Sequence, residues 1–311
     1  MPKIVFMGTP DFSVSILEKV HSEYGVSLVV TQPDKPVGRK RVYTAPPVAE
    51  KAKELGIDLY QPERIKAEEA FKKIQSYQPD LIITAAYGQI LPKQVLDLPK
   101  FGAVNVHASL LPKHRGGAPI HRAVLNGDSE SGVTIMYMAE GLDSGDIISQ
   151  VTTKITDEDN TGTLHDRLSI LGGDLLMKTL PDIFNGTNER IPQNHEEKTI
   201  SPNISKEDER LDFTRSQRDV FNHIRGLSPF PGAYTVLDGR RLKIYAADLT
   251  DEQSTEQPGT IIKKDGDGFY VACGTGVLRI TEVQPSGKKR MPAHQFAGSR
   301  QDIDGTQLGA E

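Results

Sequence analysis

Short apolar runs alternate with amphipathic stretches along the first half of the chain. Ile4 to Met7, Val26 to Val30, Leu81 to Ala85, Val104 to Val106 and Val133 to Met138 read as buried strands. Between them, Phe12 to Ser22 carries Ile16, Leu17 and Val20 at helical spacing. Pro47 to Leu55 opens with proline at the first helical position, where a missing N–H costs no hydrogen bond. This alternation predicts an α/β fold with crossover helices on an open, mainly parallel sheet. Thr161 to Phe184 is the longest predicted helix, with Leu164, Leu168, Leu171, Leu175 and Leu176 as its apolar stripe.

From Asn185 to Ser205 the pattern dissolves into polar residues around Pro192 and Pro202, the composition of a connecting segment. We place domains at 1–189 and 206–311, with a linker at 190–205. In the second domain Val220 to Ile224 reads as a short helix, and Pro229-Phe230-Pro231-Gly232 breaks the chain. Strands are then predicted at Ala233 to Leu237, Leu242 to Ala247, Gly259 to Lys263, Gly268 to Ala272 and Leu278 to Val283. Turn signals such as Asp238-Gly239 and Asp265-Gly266 separate them. Short strands joined by tight turns predict a small β-barrel of the oligonucleotide-binding kind.

Composition narrows the function classes. The 311 residues are 37% hydrophobic and 25% charged, an ordinary globular balance that can bury a core. No apolar run approaches the roughly 20 residues of a spanning helix, and Met1-Pro2-Lys3 leads directly into a strand pattern rather than a secretion signal. The expectation is a cytoplasmic protein without a membrane partner. The one cysteine, Cys273, can form neither an internal disulfide nor a cysteine metal cluster, and is expected to pack. A net charge of −5 means that any nucleic-acid partner must meet local basic patches, and two exist: Arg39-Lys40-Arg41 and Lys288-Lys289-Arg290. The first sits on a glycine-containing loop ending in Tyr43, a setting that suits phosphate and base contacts but equally a solvated loop.

The most informative stretch runs from Gly102 to Pro112. A strand there delivers Asn105 and His107 to one face, because strand side chains repeat every two residues. Ligands of open parallel sheets bind at strand carboxyl ends. Histidine can move protons near neutral pH, and an asparagine amide can donate to a developing oxyanion. A histidine at a strand end is nonetheless more often structural than catalytic. Glu140-Gly141-Leu142-Asp143-Ser144-Gly145-Asp146 follows the next strand and brings Asp143 to a carboxyl end, where it could orient His107 or merely form a turn. His107, His114 and His121 lack an acidic or cysteine partner at metal-ligand spacing, so no metal is expected. The turn Met7-Gly8-Thr9-Pro10 carries neither glycine-rich phosphate signature, so dinucleotide or ATP use is not indicated.

Together these residues resemble a family. Asn105-x-His107-x-Ser109-Leu110-Leu111-Pro112, then Arg115-Gly116-Gly117-Ala118-Pro119, then Leu142-Asp143-Ser144-Gly145 is similar to the signature of the folate-dependent formyltransferases. The resemblance extends to Phe6-Met7-Gly8-Thr9-Pro10-Asp11-Phe12, to Thr31-Gln32-Pro33-Asp34-Lys35-Pro36 and to Ile224-Arg225-Gly226-Leu227-Ser228-Pro229-Phe230-Pro231-Gly232-Ala233. It implies a Rossmann-like catalytic domain followed by a barrel that holds RNA, with Asn105, His107 and Asp143 as the catalytic triad. Ser109, Leu110, Leu111 and Pro112 would contact the formyl donor, 10-formyltetrahydrofolate. The acceptor implied is the methionyl initiator tRNA, with Arg39, Lys40, Arg41, Lys288, Lys289 and Arg290 as its cationic contacts and Arg39 foremost. Where this family has Gly-Arg-Gly in the basic loop, the chain has Gly38-Arg39-Lys40-Arg41. Rival acceptors on the same catalytic domain are a purine-precursor ribonucleotide or an amino sugar nucleotide, and a rival of another class is a non-catalytic tRNA- or folate-binding protein. Nothing in the sequence requires a second subunit, and a monomer is expected.

Overall fold

The structure, a computed structural model, describes residues 1–38 and 40–309. Among them the strands are β1 (Ile4–Gly8), β2 (Leu28–Val30), β3 (Lys35–Val37), β4 (Val42–Thr44), β5 (Leu59–Tyr60), β6 (Leu81–Ala85), β7 (Ala103–His107), β8 (Glu130–Tyr137) and β9 (Ile147–Lys154), followed by β10 (Ala233–Leu237), β11 (Arg240–Leu249), β12 (Ile261–Lys264), β13 (Phe269–Ala272), β14 (Val277–Pro285) and β15 (Met291–Pro292). The helices are α1 (Val14–Tyr24), α2 (Pro47–Glu54), α3 (Glu68–Ser76), α4 (Lys93–Leu96), α5 (Pro119–Asn126), α6 (Thr161–Asn185), α7 (Gln217–Gly226) and α8 (Ala293–Gly298). Two compact units result. The first comprises Met1–Gly116, Ser131–Thr153 and His165–Ser201; the second comprises Gly117–Glu130, Lys154–Leu164 and the chain from Pro202 onward.

The first unit is built on a sheet of order β5-β2-β1-β6-β7-β8-β9. Its β5, β2, β1, β6 and β7 are parallel, as the βα alternation predicts. The strand predicted at Val133 to Met138 departs from that rule, because β8 runs antiparallel to β7 with His107 opposite Thr134. Hydrophobic runs report burial and not direction: Gly132 to Met136 are as buried as the residues of β1. β5, β9 and the β3–β4 hairpin were not anticipated; β5 is only two residues long, and β3 and β4 are fully exposed and carry no apolar run.

Helix α6 packs on this sheet along a line somewhat different from the predicted stripe. Leu168, Leu176, Leu180 and Ile183 are buried, whereas Leu171 and Leu175 are half-buried flanks. The missing member of the line is Gly172, where a Cβ would stand 3.0 Å from Val106 Cγ1; a residue without a side chain lets the helix approach β7.

In the second unit β10-β11-β14-β13-β12 form an antiparallel sheet, with β15 paired to β14. The segment Gly305–Gly309 joins its two edge strands. Ile261 donates to Thr306 O and Gly305 to Ile261 O on the β12 side, and Gly309 donates to Val236 O on β10. These bonds cover part of both edges of the antiparallel domain that the strand pattern predicts. Its interior holds Ile244, Phe269, Leu278 and Ile280 together with Cys273, whose thiol is pushed up to about 12 by burial. Helices α5 and α7 pack together in this unit. Beside them, Arg122 grips Asp208 at 2.8 Å and 3.2 Å and holds its carboxyl down at about 2. Burial lowers the neighbouring His223, whose Nε2 lies 2.6 Å from Asp208 O.

Candidate active site

β7 lies between β6 and β8, so the polar groups on its carboxyl half are framed by both neighbours. Thr84 on β6 is level with Asn105, and its hydroxyl lies 2.8 Å from Asn105 Oδ1. With the amide oxygen engaged by a donor, Asn105 presents its nitrogen as the donating end. Two residues on, His107 is 6% exposed. Its Nε2 lies 2.9 Å from His114 O. A carbonyl only accepts, so Nε2 carries a hydrogen, and proton exchange by the ring falls to Nδ1. That atom faces Asp143 Oδ2 at 3.8 Å. The structure thus brings Asn105, His107 and Asp143 together in the first unit.

Asp143 reaches this place through an unusual backbone. It adopts φ 43° on the loop between β8 and β9, and its Oδ2 accepts the Gly116 N–H at 2.9 Å. The segment expected to be a linker supplies the rest of the support. Ile191 pairs with Ile147, and Thr199 and Ser201 exchange backbone hydrogen bonds with Arg115. The side chains of these two residues also engage His114: Thr199 Oγ1 accepts its N–H, and Ser201 Oγ lies 2.8 Å from its Nδ1. Gln193 is 5% exposed and donates to Asp143 O and Gly145 O, both at 2.8 Å. Its Oε1 accepts from Arg115 Nε and Nη2 at 3.0 Å and 2.6 Å. Sequence reasoning missed Gln193, since a glutamine inside a polar, proline-flanked run carries no signal of burial.

The turn after β7 is closed on itself. Ser109 is buried with its hydroxyl donating to Lys113 O at 2.7 Å, and Leu111 is buried next to a cis bond to Pro112. Thr134 Oγ1 donates to Ser109 O and accepts the Leu111 N–H, while Gln150 Nε2 donates to Leu111 O and to Thr134 Oγ1. The turn is therefore internally hydrogen-bonded, with Leu110 and Pro112 as its partly exposed surface. Among the described residues no three His, Cys, Asp or Glu side chains are grouped to hold a metal ion.

The basic residues fall on two exposed features, one in each unit. Lys40 and Arg41 lie in the turn of the β3–β4 hairpin, where Arg41 N donates to Gly38 O and Val37, Val42 and Tyr43 stand exposed. Arg39 lies outside the described residues. Lys288, Lys289 and Arg290 are exposed between β14 and β15. Arg290 is already engaged, bonded to Glu282 at 2.6 Å and stacked over the Tyr245 ring at 4.1 Å. Ser286 N donates to Arg241 O, so the same edge also gathers Arg240 and Arg241. Sequence could have flagged that pair, two cations straight after the Asp238-Gly239 turn.

Comparison with known proteins identifies the family. The Formyl transferase family model matches residues 2–180, and the model of the Formyl transferase C-terminal domain matches 203–301. The chain is 54% identical over 306 residues to a methionyl-tRNA formyltransferase of Macrococcus caseolyticus, covering 98% of each. It is 51% identical over 310 residues to that of Staphylococcus aureus strain MW2, covering 99% of this chain and 100% of the relative. In fold it resembles an N-formyltransferase from Helicobacter canadensis solved with folinic acid and dTDP-3-aminofucose, with TM-score 0.66 and 20% identity over 90% of this chain and 99% of the other. With both family models matched and full-length relatives above half identity, the chain belongs to the formyl transferase family, among the methionyl-tRNA formyltransferases.

Proposed function

We propose that the chain transfers the formyl group of 10-formyltetrahydrofolate to the α-amino group of methionine on the initiator tRNA, in support of translation initiation. The end-to-end likeness to methionyl-tRNA formyltransferases carries the choice of acceptor over a ribonucleotide or an amino sugar. The donor supplies an electrophilic formyl carbon. Asn105, its oxygen held by Thr84, donates its amide N–H to the formyl oxygen as negative charge gathers there. His107 acts through Nδ1, because its other nitrogen is committed to His114 O. The Asp143 carboxylate faces that nitrogen at 3.8 Å and orients the ring. The same carboxylate takes the proton the amine loses as the new C–N bond forms, and the carboxyl so formed returns that proton to the donor's nitrogen as its bond to the formyl carbon breaks.

The wall formed by Ser109, Leu110, Leu111 and Pro112 seats the donor, through its shape and the surface left at Leu110 and Pro112, with no metal taking part. Arg39, Lys40 and Arg41 serve the tRNA from residues 1–189, the catalytic domain. Lys288, Lys289 and Arg290 serve it from the barrel domain, 206–311, beyond the linker at 190–205. The protein acts in the cytoplasm as a monomer.

The test is transfer of labelled formyl from 10-formyltetrahydrofolate to methionyl initiator tRNA by wild type and by His107→Ala. Transfer that collapses in the variant supports substrate and site together. A folded, folate-binding wild type that formylates only small amines would overturn the acceptor. Asp143→Asn should lower kcat by about 10²–10⁴-fold, the usual range for general acid–base help, while leaving donor binding in place.

A further inference from the structure

We propose that Gln193 is a positioning residue for the reaction, holding Asp143 in register with His107, so that part of the segment joining the two family domains belongs to the catalytic apparatus. This rests on the reading of His107 and Asp143 as the reacting pair. The observation behind it is that the two partners of the His107 ring sit on two separate segments. Its Nε2 is held by His114 O and its Nδ1 faces Asp143 Oδ2. Gln193 ties those segments together. On one side its Oε1 takes two bonds from Arg115, the residue after His114; on the other its Nε2 gives two bonds to Asp143 O and Gly145 O.

All four hydrogen-bonding sites of the amide are thereby used, at a residue only 5% exposed. A flipped amide would set donors against the Arg115 guanidinium and an acceptor against two carbonyls, so the orientation is locked. The clamp matters because Asp143 sits at φ 43°, in the left-handed region that strains even an aspartate. Such strain persists only where the surroundings over-determine it. Two bonds bracketing the turn at 143 and 145 do so. They also keep Asp143 Oδ2 within 2.9 Å of the Gly116 N–H, on the same segment that Arg115 anchors. Reacting groups must be held to a fraction of an ångström, and a misplacement of about 1 Å is worth roughly 10²-fold in rate.

The experiment uses the full chain and formyl transfer to methionyl initiator tRNA, comparing wild type, Gln193→Glu, Asp143→Asn and the double variant. Gln193→Glu keeps an acceptor for Arg115 and sets a carboxylate oxygen against the Asp143 and Gly145 carbonyls, so it breaks the loop side of the clamp alone. We expect kcat to fall by about 10²-fold with KM for donor and tRNA unchanged. The loss should vanish in the Asp143→Asn background, where there is no longer a carboxylate to position. Gln193→Asn retains the amide but is one methylene shorter and cannot span both segments, so it should fall part of the way. A wild-type kcat in Gln193→Glu overturns the proposal, as does an equal fractional loss with and without Asp143. If Gln193→Glu proves unfolded, a wild-type kcat in Gln193→Asn overturns it. An Asp143→Asn enzyme of full activity overturns the reading of the pair and this inference with it, whereas a dead Asp143→Asn beside an unaffected Gln193→Glu overturns this inference alone.

Discussion

Replacing Gly116 by alanine should damage stability and catalysis together. Gly116 has φ +116°, a region L side chains rarely adopt, and a Cβ there would stand 2.7 Å from Ser201 O. The backbone strain costs about 1–3 kcal/mol. Relief requires the Thr199–Ser201 segment to retreat by roughly 0.7 Å to ordinary carbon–oxygen contact. That loosens the Arg115 N–H to Thr199 O and Ser201 N–H to Arg115 O bonds, at 2.9 Å and 2.7 Å. Each contributes about 1 kcal/mol net, so a destabilisation of roughly 3–5 kcal/mol is expected in all. The same movement displaces the Gly116 N–H from Asp143 Oδ2. A shift approaching 1 Å near the reacting groups predicts a fall in kcat of about 10–10²-fold. Urea unfolding followed by circular dichroism reads the first effect, and single-turnover formyl transfer reads the second. Gly186→Ala is the control: φ +68° with nothing within 4 Å of the added Cβ should cost about 1–2 kcal/mol and leave turnover alone. A Gly116→Ala protein with the wild-type unfolding midpoint and rate would refute the reasoning.

Other expectations follow from the second unit and from the sheet. Lys288→Ala with Lys289→Ala should weaken tRNA binding and flatten its logarithmic salt dependence by about 0.7–0.9 for each phosphate that is no longer neutralised; an unaltered slope in filter binding would remove this edge from the interface. The Arg122–Asp208 pair lowers the Asp208 pKa to about 2 from the ordinary 3.8, so its stabilising contribution is complete above about pH 4 and is lost as pH falls toward 2. The stability difference between wild type and Arg122→Ala should accordingly narrow on acidification through that window in chemical unfolding, and a gap that widens there would contradict the pairing. Leu176→Ala removes a fully buried side chain from the face of α6 that covers the sheet and should cost about 2–5 kcal/mol, measured by denaturant unfolding.

The chemistry of the site was legible because a strand is a ruler. Asn105 and His107 share a face at any register, and a strand's carboxyl end is where an open sheet binds ligands. For Asp143 the same rule gave the right partner for the wrong reason: β8 runs antiparallel to β7, so its carboxyl end lies level with Val104, and the loop after it has to return to bring Asp143 to His107. The supports were illegible, because they come from residues whose neighbours are distant in sequence. Thr84 meets Asn105 only through the β6–β7 register, Gln193 meets Arg115 and Asp143 across 78 and 50 positions, and Arg241 meets the 286–290 turn only once β11 pairs with β14.

The order of residues alone was enough to set the alternation of strands and helices, the short antiparallel strands of the second half and the polar pair at the end of β7. These depend on the spacing of apolar residues and on local backbone chemistry, which the chain carries at every point. It took the folded chain to make β8 antiparallel, to let α6 close on β7 at Gly172, to lay residues 305–309 along the edge strands of the second unit and to bury Gln193 alone within an exposed stretch. Strand direction, close approach and the satisfaction of buried polar groups are properties of pairs of distant segments. A one-dimensional pattern of hydrophobic and polar positions does not encode which segments meet.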